Sequence, residues 1–328
     1  MSGFRATSAK ADADIVIALV LDVIGRVWPF FLLVGAGWTL ARLRLLDGRM
    51  AQGLSAYVYW IGFPALLIHS LSRQGRPSPD LLAGLAAYAG AGLVLMALIV
   101  LACRLMGWTR AEAAGAAMAG SVGNSAFLAL PIAAVVLGAE TARLVAGVLA
   151  ADFVVLSAAG VGLLGWAAGR SVGRSTLHAF QNPVVAAAVA GVGLALLDLA
   201  LPEPLDRAIG MAAVSGSPVG LVALGAALGL REGESGGEAA PAAGPVLLAA
   251  LAKLAAFPLM VWLAVGLTPA PAAFRAGATL LAAAPTAVSA FIQTRAYGVF
   301  PRGAARIVAL TTALSAITLA VAALVLKS

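Results

Sequence analysis

Long apolar runs alternate with short polar ones along the whole chain. Ten hydrophobic segments stand out, at about 15–41, 52–72, 81–106, 113–138, 142–168, 179–200, 206–230, 245–267, 273–297 and 304–326. An α-helix needs roughly 20 apolar residues to cross a bilayer, so the pattern predicts ten transmembrane helices. The segment from Ile15 continues past Pro29 and is longer than the apolar part of a secretory signal, with no clear cleavage site after it. It is read as one helix kinked at Pro29, since neighbouring helices can satisfy the groups a proline frees. Residues 1–14 are polar and read as a disordered tail. The longest loop, REGESGGEAAPAAGP at 231–245, is acidic and rich in Gly, Ala and Pro, as a flexible linker is. No soluble domain is expected.

Two segments break this regularity. In segment 4, GNSAFLALPIAAVVLG (123–138), Gly120, Gly123, Asn124 and Ser125 weaken the helix, and Pro131 leaves the carbonyl near Phe127 without its usual donor. An Asn side chain in hydrocarbon without a partner costs several kcal/mol, so Asn124 must bond to protein, water or substrate. One reading is a Pro-kinked packing helix with Asn as interhelical glue; the other is a helix opened for a site. Segment 9, TLLAAAPTAVSAFIQTRAYG (279–298), carries Pro285 in mid-span, followed by Thr286, Ser289 and Gln293. A second polar, broken helix suggests that two discontinuous helices cross. Their half-helix N-termini would offer free amides and the positive end of the dipole to an anion.

The breaks also belong to an internal echo. Pro29 and Pro183, Gly62 and Gly216, Pro64 and Pro218, and Pro131 and Pro285 are each 154 residues apart. These pairs join segments 1/6, 2/7 and 4/9, as a five-plus-five duplication requires. An odd number of helices inserts the second copy upside down, which is the inverted-repeat plan of secondary transporters. Aligning the unwound points instead, Gly123–Asn124 with Pro285–Thr286, needs an offset of 162, with the 231–245 linker supplying the extra residues. The pattern leaves open whether Gly123 or Pro131 marks the crossing point.

Composition agrees with a lipid solvent. Of 328 residues, 62% are hydrophobic and 11% charged, at a mean hydropathy of +1.01, against about 25% charged in a soluble domain. The net charge of +7 has no basic run with interleaved aromatics, which argues against nucleic acid as a partner. It is better read as loop arginines that set orientation. One set of alternate loops, with Arg42, Arg49, Arg104, Arg170 and Arg302 among its members, holds eleven Lys and Arg; the other set and the termini hold eight. That excess predicts both termini outside. The single Cys103 excludes an internal disulfide. With one Cys and two His, a His/Cys metal site is not expected; no cofactor is implied. Enzyme signatures such as HExxH or a P-loop are missing, so the chain reads as a non-enzyme.

A few polar residues remain. Lys253 and Asp152 fall inside segments 8 and 5, and intramembrane charges are functional candidates. Lys253 could attract a carboxylate substrate; Asp152 could couple protons or pair with Lys253. The plainer reading has Lys253 snorkelling and Asp152 facing a loop. Asp22 and Arg26 are spaced for a local helical pair, His69 reads as interfacial and His178 as a solvated loop residue. Gly160, Gly162 and Gly165 read as close helix packing.

Taken together, several stretches resemble the auxin efflux carrier family of membrane transporters, in its bacterial branch near the malonate-type carriers. GNSAFLALPI is similar to that family's segment-4 signature and AAPTAVSAFIQTRAYG to its segment-9 crossover. GFPALLIHSL (62–71), QNPVVAAAVAGVGLAL (181–196), SPVGLVALGAALG (217–229) and LAKLAAFPLMVW (252–263) follow in family order. The resemblance covers about residues 27–325 and implies an all-α integral membrane protein of ten helices. It implies two inverted five-helix repeats, here 15–170 and 179–328 joined by a linker at 171–178, with broken helices 4 and 9 crossing at a midplane site for organic anions. On that basis Asn124, Ser125, Thr286, Ser289 and Gln293, with Lys253, are the expected substrate ligands. Gly123, Pro131 and Pro285 would keep the crossover open, and Asp152 is the coupling candidate. Related sequences often carry Asn where this chain has Ser289, which bears on which substrate fits. The expected function is secondary transport of mono- or dicarboxylates across a bacterial inner membrane, with a homodimer as the assembly towards which the resemblance leans. The rivals are a sodium-coupled carrier of the bile-acid type, a non-transporting membrane sensor and, more distantly, an intramembrane enzyme.

Overall fold

A computed structural model describes residues 25, 28–29, 31–73, 76–169, 181–230 and 241–327. The expected N-terminal tail at 1–14, the Asp22–Arg26 pair, His178, the 171–178 linker and most of the 231–245 loop lie outside the described residues. Those residues fold into helices: α1 (Phe31–Arg42), α2 (Gly48–Leu71), α3 (Pro79–Leu105), α4 (Arg110–Ser121), α5 (Ser125–Ala129 continued by Leu130–Val136), α6 (Ala139–Ala167), α7 (Pro183–Leu196), α8 (Glu203–Gly229), α9 (Ala243–Gly266), α10 (Ala272–Ala282), α11 (Val288–Tyr297) and α12 (Pro301–Lys327). Five of them, α2, α3, α6, α8 and α9, are long and apolar enough to cross a membrane, and α12 makes a sixth if its bend is taken within one span. Segments 4 and 9 are each divided in two, α4/α5 and α10/α11.

Several helices start before the apolar runs do, because polar side chains cap them. Asp47 accepts from the Met50 amide, Ser78 from the Leu81 amide, and Thr109 and Glu112 form a reciprocal capping box. Each satisfies amides that have no intrahelical acceptor. Asn182 does the same for α7 through the Val184 and Val185 amides, with Pro183 in the first turn, where a missing donor costs nothing.

Among the described residues four π-turns interrupt the helices, at Val58–Gly62, Ser125–Ala129, Ala151–Leu156 and Ala252–Ala256. Three of them end two residues before a proline: Pro64, Pro131 and Pro258. A proline inside a helix clashes with the carbonyl four residues back, and widening the preceding turn by one residue relieves the clash. The fourth π-turn has no proline and contains Asp152. Such turns rotate the side chains they contain out of the regular helical stripe and are frequent at functional sites.

Two cores form. One gathers α3, α4, α6, α9, α10 and α12 around Tyr88, Leu95, Met118, Leu156, Phe257 and Phe274. The other gathers α2, α7 and α8 around Phe63, Leu67, Val184, Ala188, Leu221 and Leu224, and receives Phe291 and Ile292 of α11. In the second core α2 and α8 touch backbone to backbone: a Cβ on Gly62 would stand 2.7 Å from Gly216 Cα. These two glycines are the 154-residue pair. Outward faces such as Leu93, Leu98 and Leu101 of α3 and Leu259 and Leu263 of α9 are apolar and exposed, as lipid contact requires. Overpacking typically costs about 1–3 kcal/mol, so Gly216→Val should lower the melting temperature in detergent by several degrees, whereas Gly193→Ala, with open space around it, should leave it within a degree or so.

Candidate functional site

The two broken segments meet at their breaks. Gly123 and Thr286 form an isolated antiparallel bridge, the Asn124 amide donates to Pro285 O at 2.8 Å, and the Ala287 amide donates to Val122 O at 3.0 Å. The unwound stretch of segment 4 is therefore Val122–Asn124, and Pro131 lies in α5, beyond the crossing. The paired positions Gly123 and Thr286 are 163 residues apart, close to the 162 offset and away from 154.

Four helix ends converge here. α4 and α10 arrive with their C-termini; α5 and α11 leave with their N-termini. Carbonyls at a helix end have no intrahelical donor, and buried in a membrane each needs one. Val122 O and Pro285 O use the two bridging amides. Ala119 O accepts from Thr286 Oγ1 at 2.7 Å, and Ala282 O accepts from Lys253 Nζ at 2.6 Å. The Thr286 amide donates to Thr311 Oγ1 of α12 at 3.1 Å. Polar residues sit at this depth because the breaks need them.

The N-terminal side of the crossing is different. A cavity there is lined by Phe63, Gly123, Asn124, Ala126, Phe153, Ser217, Ala287, Val288 and Ser289. It is about 10 Å³ in volume, enough for about one water molecule. The Ser289 hydroxyl is buried with no hydrogen-bond partner among the described residues, and the Asn124 and Ser217 side chains line the same cavity. The first turns of α5 and α11 border it through Ala126, Val288 and Ser289.

A buried charged cluster lies beside it. Asp152 accepts from Tyr88 Oη at 2.8 Å and from Ser125 Oγ at 2.5 Å. Lys253 is fully buried, with Nζ 4.6 Å from the centroid of the Phe257 ring, and that ring packs at 5.3 Å against Tyr88. A Cβ on Gly123 would stand 3.0 Å from Lys253 Nζ and 3.2 Å from Ser125 Oγ, so the glycine leaves the room that the ammonium uses. Ser125, Asp152 and Lys253 all sit in π-turns. Lys253 does not snorkel and Asp152 does not face a loop; both are at 0% exposure.

Of the six residues expected to contact substrate, the structure places Asn124 and Ser289 on the cavity. Ser125 turns its hydroxyl to Asp152, Thr286 and Lys253 cap helix ends, and Gln293, one turn past Ser289, donates to Ser157 Oγ at 3.0 Å and faces the Asn182 carboxamide. Gln293 thus ties α11 to α6 and α7 instead of lining the cavity. Phe63, Phe153 and Ser217 line it and had not been singled out. Phe63 and Ser217 are themselves 154 apart, each just before an echoed proline, and that spacing was the available signal. Tyr88 and Thr311 carried no sequence signal beyond being polar in apolar runs.

Two larger openings occupy opposite ends of α2. One, of about 920 Å³, is lined by Arg49, Gln52, Ser55, Tyr59, Arg295 and Arg302 among others and reaches inward to Phe291 and Ile292. The other, of about 740 Å³, lies among Arg73, Arg76, Asp198 and Asp206. There Asp206 accepts from Arg73 at 2.7 Å, and Arg73 also contacts His69, which places His69 in an interfacial cluster. Among the described residues no group of three or more His, Cys, Asp or Glu could hold a metal ion.

Comparison with known proteins follows the same lines. Residues 22–323 match the family described as "Membrane transport protein". A protein of Rhizobium meliloti (strain 1021) named "Putative malonate transporter" is 31% identical over 306 residues, covering 90% of this chain and 93% of the other.

Proposed function

The chain belongs to the auxin efflux carrier family of membrane transport proteins, and from that premise we propose that it is a secondary active transporter of small mono- or dicarboxylates. One observation carries the reading. The N-termini of α5 and α11 open on a cavity lined by the polar side chains of Asn124, Ser217 and Ser289, where the Ser289 hydroxyl is buried with no hydrogen-bond partner among the described residues. Helix N-termini favour anions through free amides and the dipole, and an unpaired buried polar group is costly unless something fills it. A carboxylate satisfies both. Asn124 would donate its amide hydrogens, Ser289 its hydroxyl, and Phe63 and Phe153 would enclose the carbon chain. Malonate, named in the Rhizobium relative, is of the right class.

The cavity is too small for such an anion, so binding requires the two cores to separate at the crossover. Alternating access follows, with the core of α2, α7 and α8 moving against the other. The 920 Å³ vestibule ends at Phe291 and Ile292, close to Ser289 in α11, and its arginines suit an anion's approach. Ten spanning helices in two inverted repeats remain our reading, supported by the Gly62–Gly216 contact and the Gly123–Thr286 bridge. The inner membrane as location, termini outside and a homodimer belong to the same proposal, as does Asp152 as coupling group.

The test is flux of labelled C2–C5 mono- and dicarboxylates into proteoliposomes, with malonate as competitor. Saturable flux of at least one is expected. Binding without flux would make the protein a sensor, and neither binding nor flux would sink the reading. Ser289→Asn enlarges a cavity-lining side chain, and pockets discriminate a methylene-sized change by roughly 10-fold or more. It should shift preference from dicarboxylates towards monocarboxylates by about that factor.

A further inference from the structure

We propose that Lys253 is the resident cation of the crossover, occupying with its own ammonium the place where an inorganic monovalent cation would otherwise neutralise two helix C-termini and a buried carboxylate. The two halves of the crossover are capped differently. Ala119 O and Ala282 O are 163 residues apart, as are Gly123 and Thr286, so they are corresponding carbonyls at the ends of α4 and α10. Ala119 O is capped by the Thr286 hydroxyl. The residue that would cap Ala282 O in the same manner is Gly123, which has no side chain. Lys253 Nζ lies where that side chain would go, 3.0 Å from the position of a Cβ on Gly123, and makes the missing hydrogen bond at 2.6 Å.

A neutral hydroxyl serves one half; a full positive charge serves the other. The charge has reasons to be there. The C-termini of α4 and α10 both point at this spot with their negative dipole ends. Asp152 lies across the same small space, with Ser125 Oγ between. The Phe257 ring face completes the shell at 4.6 Å. Carbonyl oxygen and aromatic face, with the carboxylate one hydroxyl away, form a cation site, filled by a side chain fixed to α9. The carrier then needs no inorganic cation to complete its crossover, and Lys253 acts as a positioning residue for the anion cavity on the other side. That second role rests on the transporter reading above; the cation role does not.

Melting of the purified protein separates the two. Wild type should melt at the same temperature in sodium, methylammonium and choline chloride at equal ionic strength. Lys253→Ala should melt lower, and sodium or methylammonium, but not the bulky choline, should raise it again by a few degrees, as ligands of the folded state do. Should Lys253→Ala not survive purification, the neutral-cap variant Gly123→Ser/Lys253→Met decides. It restores a hydroxyl beside Ala282 O and should fold, yet move carboxylates at least about tenfold more slowly than wild type. The proposal is overturned by a Lys253→Ala protein indifferent to every cation, by sodium stabilising wild type, or by the neutral-cap variant transporting at the wild-type rate. A wild type that moves no carboxylate would instead count against the transporter reading, and the melting series would still stand.

Discussion

Asn124→Ala should abolish most carboxylate transport while leaving the crossover assembled. The bridge that holds the two breaks together uses the Asn124 backbone amide, which donates to Pro285 O; the side chain takes no part in it. Truncating the side chain therefore removes a donor from the cavity and nothing from the frame. Hydrogen bonds to charged groups contribute about 1.5–3 kcal/mol, so affinity should fall by roughly one to two orders of magnitude. Asn124→Asp should be worse still, although it is nearly isosteric. It places a like charge against the substrate carboxylate at the helix N-termini, and flux should drop to the level of empty liposomes at neutral pH. Size-exclusion profiles and melting curves of both variants should match wild type. A transport rate for Asn124→Ala within twofold of wild type, for every substrate moved, would remove Asn124 from the site.

The apolar helices were legible because their signal is strong and local. Apolar runs separated by charged loops leave a chain few alternatives in lipid, and five or six of the described helices are long enough to cross one; α2, α3 and α4 start ahead of their runs where Asp47, Ser78 and Thr109 cap them early. The breaks were legible for the opposite reason: Gly, Asn and Pro in mid-span have no place in an unbroken helix. What the pattern left open was which breaker sets the crossing. Pro131 is the stronger helix breaker by propensity, but a π-turn at Ser125–Ala129 absorbs it and the helix continues. Gly123 is a weak breaker, yet its backbone pairs with Thr286 and the Lys253 ammonium uses the room its missing Cβ leaves. Tertiary contacts decided the matter, and they are not written in the local sequence.

The site was legible in part for the same reason. Polar residues in hydrocarbon flag themselves, so Asn124, Ser125, Asp152, Lys253, Thr286, Ser289 and Gln293 all stood out. Their division of labour did not. A polar side chain near a broken helix can face a ligand or satisfy the break, and sequence treats the two alike. The carbonyl accounting separates them. Thr286 and Lys253 are committed to Ala119 O and Ala282 O, Ser125 to Asp152 and Gln293 to Ser157. Asn124 and Ser289 line the small cavity, which is why the proposed function gives them to the substrate. The apolar walls, Phe63 and Phe153, were invisible among the many aromatic and aliphatic residues that only pack.

The second large effect concerns the charges themselves. Asp152 and Lys253 are both fully buried and lie to either side of Ser125 Oγ without a direct contact, and leaving a buried charge uncompensated typically costs about 3–5 kcal/mol. Asp152→Asn keeps the shape and an acceptor for one of the Tyr88 and Ser125 hydroxyls, the other turning to accept from the new amide, while removing the charge. Lys253→Met keeps the packing against Phe257 and removes both the charge and the cap on Ala282 O. Each single variant should melt well below wild type. The double variant should melt above the lower of the two singles, since no orphaned charge remains, and should fall short of wild type by the missing cap. Residues in one network are coupled, so the double should cost less than the two singles added together by about 1 kcal/mol or more. If the two losses simply add, the charges are not compensating each other and the carboxylate is held by its two hydroxyl donors alone. Coupled losses would mean that an anion crossing this protein passes a centre whose own charges already cancel, leaving the α5 and α11 N-termini and the Asn124 and Ser289 side chains to attract it.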